Sequence, residues 1–306
     1  MPDPLAEAGV DLEHDNAVVD DVRLHTVAAG PEDGDLVLLL HGFPEFWYSW
    51  RYQIPALAEA GYRVVAPDLR GYNRSEKPHG VDSYAIEHLV GDVVGLIRAE
   101  GRDTAHLVGH DWGGAISWAV GMGRPDVLDS LTVMNAPHPA AFAREFDLQQ
   151  LKRSWYVLWF QVPWLPERLL TLRNAWPIGD LFRDQPANPD AFDAADIERY
   201  REAFARPGAA RAAVDYYRAY VRGIWKPMAK ATLPGLRRFA DPPGNTEISV
   251  PTLVLWGEQD PALGVDISRG LDEWIPDLRV QRFPEASHWV QCDVPDQVTE
   301  ELLAFL

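Results

Sequence analysis

The sequence predicts an α/β fold: a mostly parallel sheet flanked by helices and interrupted by a helical insertion. Three observations carry this. Over the first 136 residues, short apolar runs closed by Gly, Pro or Asp alternate with segments of helical spacing. Between Pro137 and Pro234 the rhythm stops, Trp, Tyr, Arg and Pro become frequent, and no run reads as a strand. After Pro234 the strand–helix alternation resumes.

In chain order, Asp35 to Leu40 is an apolar run closed by His41-Gly42, the pattern of a buried strand. Tyr62 to Ala66 is a second, closed by Pro67-Asp68. Tyr84 to Ala99 has helical spacing, with Ile86, Leu89, Val90, Val93 and Leu96 apolar. Ala105 to Val108 reads as a strand, Gly114 to Val120 as a buried helix and Leu131 to Met134 as a strand. Helical patterns follow at Leu151 to Phe160, Asp196 to Phe204 and Ala209 to Trp225. Thr252 to Trp256 and Leu278 to Phe283 are the last strands, with a helix expected over Ile267 to Trp274. The reading is a core of 1–136 and 236–306 split by a helical unit of 137–235. Parallel strands buried on both faces need such near-continuous apolar runs.

Charge and composition narrow the function. The chain has 306 residues, ample for a core, and a net charge of −18, which disfavours nucleic acid as a partner. No run approaches the ~20 apolar residues that span a bilayer, and the acidic N-terminus lacks the apolar stretch of a secretory signal. A membrane partner is not expected. The lone Cys292 forms no intramolecular disulfide, which fits a cytoplasmic protein. Four lysines against 24 arginines, with 28 aspartates, suit either a halophile's salty cytoplasm or a GC-rich genome. Monomer and homo-oligomer both stay open. No histidine has metal-ligand spacing with a second His or Cys, and no glycine loop suits a nucleotide, so neither a metal nor a cofactor is expected.

The chemistry centres on Leu107-Val108-Gly109-His110-Asp111-Trp112-Gly113-Gly114. A strand runs into a glycine-flanked turn and then a helix, the pattern of a nucleophile elbow. Asp111 stands where Ser is usual, although an ordinary turn with a helix-capping Asp reads the same locally. A carboxylate there attacks a saturated carbon and becomes an ester of the enzyme, which must then be hydrolysed. Ser287-His288-Trp289 follows the last strand, and Gly257-Glu258-Gln259-Asp260 the strand before it. The order nucleophile, acid, histidine at 111, 260 and 288 is that of triads on one α/β fold. His288 would take a proton from water, and Asp260 would orient it, with Glu258 as the rival acid. The turn His41-Gly42-Phe43-Pro44-Glu45 offers one backbone N–H for an oxyanion, at Phe43, and Trp112 the second.

Together the strings HGFPEFWYSWRYQIPALAEAGYRVVAPDLRGY, GHDWGG, GEQD and ASHW resemble the soluble epoxide hydrolases of the α/β-hydrolase superfamily, over almost the whole chain. GHDWGG alone is shared with haloalkane dehalogenases; the HGFPEFWYSWRYQIPAL string is far more specific. The resemblance implies that the 137–235 unit is a cap and that two cap tyrosines hold the epoxide oxygen. Tyr156 matches the first context, Y-x-x-aromatic-F-Q-x-P, and Tyr217 the second, with Tyr216 and Tyr220 as alternative registers. It also implies hydrolysis of a small-molecule epoxide to a vicinal diol without a cofactor. The twelve tryptophans suit an apolar pocket for aryl or alkyl epoxides, or else a core.

Two other functions compete. A haloalkane dehalogenase would use the same Asp nucleophile with Trp112, but position 43 is Phe and the tyrosine contexts fit epoxides better. A non-catalytic small-molecule binding protein on the same fold is the lesser alternative. An Arg after the nucleophile, needed for fluoroacetate, is absent, as is the elbow Ser that esterases and haloperoxidases need.

Overall fold

A computed structural model describes residues 4–228 and 246–306. The boundary expected at 235/236 lies outside the described residues. Eight strands form one sheet: β1 (Glu13–Val19), β2 (Val22–Ala29), β3 (Leu36–Leu40), β4 (Arg63–Pro67), β5 (Ala105–His110), β6 (Leu128–Met134), β7 (Thr252–Gly257) and β8 (Leu278–Phe283). Their spatial order is β1-β2-β4-β3-β5-β6-β7-β8. β1 and β2 pair antiparallel, β2 meets β4 antiparallel, and every pairing from β4 to β8 is parallel.

Apolar runs became the central strands for a direct reason. All five residues of β3 and of β4 are buried, as are those of β7, so each strand is covered on both faces. Each fully buried Leu or Val contributes about 2 kcal/mol of transfer free energy. β1 and β2 went unread because β1, Glu13-His14-Asp15-Asn16-Ala17-Val18-Val19, is mostly exposed and polar. It lies at the sheet edge, where one partner strand suffices. The expected helix over 267–274 is absent: two short 3₁₀ turns, Val265–Ser268 and Leu271–Glu273, stand there, separated by Gly270 in a left-handed conformation. The helix expected over 151–160 is broken at Ser154 into Leu148–Arg153 and Trp155–Trp159.

Between β6 and β7 the described helices are Pro139–Glu145, Leu148–Arg153, Trp155–Trp159, Leu165–Leu170, Leu172–Asp184, Ala194–Ala205 and Ala209–Met228. They are tied to the loops that leave β3 and β4. Tyr48 Oη donates to Asp196 Oδ1 at 2.9 Å, Arg51 Nη2 to the Ala191 carbonyl at 2.7 Å, and Tyr216 Oη to the Arg70 carbonyl at 2.7 Å. These bonds set the insertion over the C-terminal ends of the parallel strands. No described helix is long and apolar enough to cross a membrane.

Candidate active site

Asp111 follows β5 directly and precedes the helix Trp112–Gly123. Its backbone has φ +50° and ψ −114°, a strained conformation for a residue with a side chain. The glycines around it permit this. A Cβ on Gly113 would lie 2.2 Å from the Leu40 carbonyl oxygen, and one on Gly42 would lie 2.5 Å from Asp111 Cβ. The elbow and the turn after β3 therefore touch backbone to side chain, and no larger residue fits at either point.

That contact positions Asp111. The Phe43 N–H donates to Asp111 Oδ1 at 2.7 Å. Asp111 Oδ2 faces His288 Nε2 at 3.5 Å. His288 Nδ1–H donates in turn to Asp260 Oδ2 at 2.7 Å. The three residues come from the loops after β5, β7 and β8 and meet beyond the C-terminal ends of these parallel strands. Asp260 is held by further donors: the Ala262 and Leu263 N–H groups to Oδ1 at 2.7 and 2.9 Å, and Asn135 Nδ2 to Oδ2 at 2.8 Å. Glu258, the rival acid, is exposed, whereas Asp260 is buried against the imidazole.

The charges sharpen the arrangement. Burial alone would push the His288 imidazole down, but Asp260 and Asp111 together hold it well above the usual histidine range. Burial would likewise raise the Asp111 carboxyl, yet its hydrogen bond and charge contact with His288 hold it below the usual range.

Tyr156 and Tyr217 reach the same space from the insertion. Their rings lie 5.8 Å apart, and Tyr217 packs edge-on against Trp112 at 5.1 Å and Phe43 at 5.5 Å. Burial raises both phenols, and the Asp111 carboxylate is the next cause for each, so both stay protonated. Tyr216, the neighbouring register, is spent elsewhere: its hydroxyl donates to the Arg70 carbonyl. Tyr220 is half exposed, its ring 6.0 Å from Trp112.

Two features escaped the sequence reading. Asn135 follows β6 with φ +40°; its amide donates to Asp260 and its oxygen accepts the Gly257 N–H at 2.9 Å. An Asn placed straight after a buried strand, level with the other strand ends, was the available signal. Behind the site lies a second buried pair. His110 Nε2 donates to the His288 carbonyl at 2.8 Å, and its Nδ1 faces Glu45 Oε2 at 3.0 Å. Burial would raise the Glu45 carboxyl, but His110 holds it low, and the same oxygen accepts the Gly42 N–H at 2.7 Å. The pair links the turn after β3, the elbow and the loop of His288. No cluster of three or more metal-ligating side chains occurs among the described residues.

Known proteins resemble the chain over most of its length. Residues 35–295 match the family model described as alpha/beta hydrolase fold. The chain is 38% identical to the AB hydrolase superfamily protein YfhM of Bacillus subtilis, over 93% of this chain and 94% of that one. It is 35% identical to Epoxide hydrolase 1 of Caenorhabditis elegans, over 93% of this chain and 68% of that one. Among solved structures, an epoxide hydrolase of Bacillus megaterium bound to an inhibitor superposes with a TM-score of 0.83 at 33% identity, covering 96% of this chain and 99% of that one.

Proposed function

The chain belongs to the α/β hydrolase fold family and to its epoxide hydrolases, and from that premise we propose that it opens epoxides to vicinal diols through an ester on Asp111. The observation that carries the reading is the pairing of Asp111 with two different partners. One oxygen rests on the Phe43 N–H while the other faces His288. The oxygen facing His288 attacks a ring carbon, the C–O bond of the ring breaks, and its electron pair goes to the ring oxygen. Tyr156 and Tyr217 donate to that oxygen, which would otherwise be a poor alkoxide leaving group. The insertion over 137–235 acts as the cap that brings these phenols over the elbow.

Esterification also switches the histidine. Once Asp111 is an ester it carries no charge, and His288 loses one of the two anions that raise its pKa. The proton it gives up balances the alkoxide, leaving a neutral imidazole still oriented by Asp260. That imidazole removes a proton from water, and the oxygen attacks the Asp111 carboxyl carbon. The oxyanion forms on the oxygen already held by Phe43, with the Trp112 N–H as second donor. The bond between the carboxyl carbon and the oxygen bearing the alkyl group then breaks, that oxygen takes the remaining proton of the attacking water, and the diol leaves with Asp111 again a carboxylate.

The test is diol formation from styrene oxide, with 1-bromobutane in parallel. Wild type should yield diol and Asp111→Ala none, a loss of about 10⁴-fold or more. Bromide release without diol would move the activity to dehalogenation. Diol from Asp111→Ala at the wild-type rate would remove Asp111 from the chemistry.

A further inference from the structure

Both chain neighbours of His288 are gripped by residues that reach the insertion. Ser287, the residue before it, is buried, and its N–H and Oγ–H donate to Asp293 Oδ2 at 2.7 and 2.5 Å. The other oxygen of that carboxylate, Oδ1, accepts the backbone N–H of Asn188 at 3.0 Å. The Asn188 side-chain amide donates to the Asp293 carbonyl at 3.1 Å. Asn188 belongs to the insertion, in the loop between the helices Leu172–Asp184 and Ala194–Ala205. Trp289, the residue after His288, lays its ring against Phe182 and Phe192 of the insertion, with centroids 5.4 and 6.3 Å away. The chain makes this possible by turning at once. A four-residue helix, Val290–Asp293, begins after Trp289, and the Asp293 N–H donates to the Trp289 carbonyl at 2.9 Å, so one turn brings Asp293 back to Ser287. Asp293 is buried, and among the described residues its side chain accepts from three neutral donors. An apolar side chain of similar size would avoid the cost of desolvating a carboxylate. What the carboxylate adds is two acceptors, one for each unit.

We propose that Asp293 is a positioning residue for ester hydrolysis, coupling the aim of His288 to the docking of the insertion; the proposal rests on the ester mechanism above. The His288 ring is held at Nδ1 by Asp260, and its carbonyl by His110 Nε2. Neither bond involves the insertion. The Nε2 end of the ring, which must meet the water, faces Asp111 at 3.5 Å and is held less tightly. Its direction follows from the backbone at 287–289. That backbone is tied to the insertion twice, through Asp293 and through Trp289. The insertion also carries Tyr156 and Tyr217. One unit thus supplies the donors for ring opening and sets the base for the step that follows. Ring opening uses Asp111 and the two phenols and asks no proton transfer of His288. Ester hydrolysis depends on where the imidazole points, and misplacing a reacting group by about 1 Å costs on the order of 10²-fold. Loosening Asp293 therefore slows the second step selectively.

Rapid quench with styrene oxide, read by intact-protein mass spectrometry, tests this. Asp293→Asn keeps the shape but leaves one acceptor oxygen in place of two, so one of the two units meets an NH₂ group instead. Ester hydrolysis should slow by about 10- to 100-fold while ester formation stays within a few-fold. The ester should then accumulate, and KM should fall together with kcat. A variant that had only lost folded protein would show a lower kcat at unchanged KM and no added ester. Asn188→Ala, in a half-buried loop position, removes only the amide bond to the Asp293 carbonyl. It should raise the ester fraction in the same direction and by less, and it decides alone should Asp293→Asn fail to fold. Added to Asp293→Asn it should cost little more, because the two act through one link. His288→Gln is the reference. Ester in His288→Gln but at wild-type level in Asp293→Asn and Asn188→Ala overturns this proposal and leaves the ester mechanism standing. No ester in any of the three overturns both. A fall in kcat at constant KM, or fully additive losses in the double variant, reduces Asp293 to a stabilising contact and also overturns the proposal.

Discussion

The two halves of the site are held by different forces. On the sheet side, Asp111, His288 and Asp260 are fixed by short directional contacts: Phe43 N–H to Asp111 at 2.7 Å, His288 to Asp260 at 2.7 Å, and three further donors on Asp260. On the insertion side, Tyr156 and Tyr217 sit among rings at 4.8 to 5.8 Å, against Phe160, Trp112 and Phe43. Hydrogen bonds to charged groups fix an atom's position and its protonation together. Ring packing fixes a volume and leaves the Tyr156 hydroxyl's direction to the substrate oxygen, whereas the Tyr217 hydroxyl also meets the Trp112 side chain. The strained elbow belongs to the first kind and could not be held by the second. Its φ of +50° persists because Gly42 and Gly113 let neighbouring backbone close in around it.

If that contrast is right, damage to the sheet side should be close to all-or-none and damage to the insertion side graded. His288→Gln is the largest test after loss of the nucleophile. Diol formation should fall about 10³-fold, the usual order for loss of a general base. The ester on Asp111 should accumulate as a mass increase of one substrate in intact-protein mass spectrometry. Wild-type turnover in this variant would assign the base elsewhere. Tyr156→Phe and Tyr217→Phe should each cost on the order of 10²-fold in kcat, the scale of removing one donor from a developing oxyanion. The double variant should lose more than either, because a single phenol still polarises the ring oxygen. Equal loss in single and double variants would mean that only one tyrosine reaches the oxygen.

Acid should separate the two chemical steps. His288 acts as a base only when neutral, and in the ester Asp260 alone still raises its pKa, so falling pH leaves it protonated. Asp111 has the opposite shift and remains an anion over the same range. Ester hydrolysis should therefore drop about tenfold per pH unit on the acid limb while ester formation continues. Rapid quench at decreasing pH should show a growing ester fraction; a constant fraction would mean that both steps titrate together. The smallest effect concerns register within the insertion. Tyr216→Phe removes the hydrogen bond to the Arg70 carbonyl and should cost about 1 kcal/mol of stability, read as a lower urea midpoint. Its activity should stay within a few-fold of wild type. A loss matching that of Tyr217→Phe would reverse the assignment of the two neighbours.

Much of this architecture was legible in the residues because it rests on local rules. Buried parallel strands need unbroken apolar runs, and Leu36 to Leu40 and Thr252 to Trp256 supply them. The elbow needs glycine on either side of a strained centre, and Gly109 and Gly113 flank Asp111. Where local rules were weak, the reading failed. β1 is an exposed polar edge whose pairing with β2 exists only in the sheet. The helix expected over 267–274 gave way to two turns around Gly270, which has φ +61° and the Arg144 guanidinium against it.

The sequence by itself determined the class of fold and the chain order of the candidate site residues Asp111, Asp260 and His288, because each is written in a short motif or a periodicity. Only the tertiary structure decided which acid meets His288, which of two adjacent tyrosines faces Asp111, and that Asn135 braces Asp260. Those choices depend on distances between residues 28 to 125 positions apart. Nothing in the chain near Asn135 records that Asp260 lies 2.8 Å away. That distance exists only once β6 and β7 lie side by side.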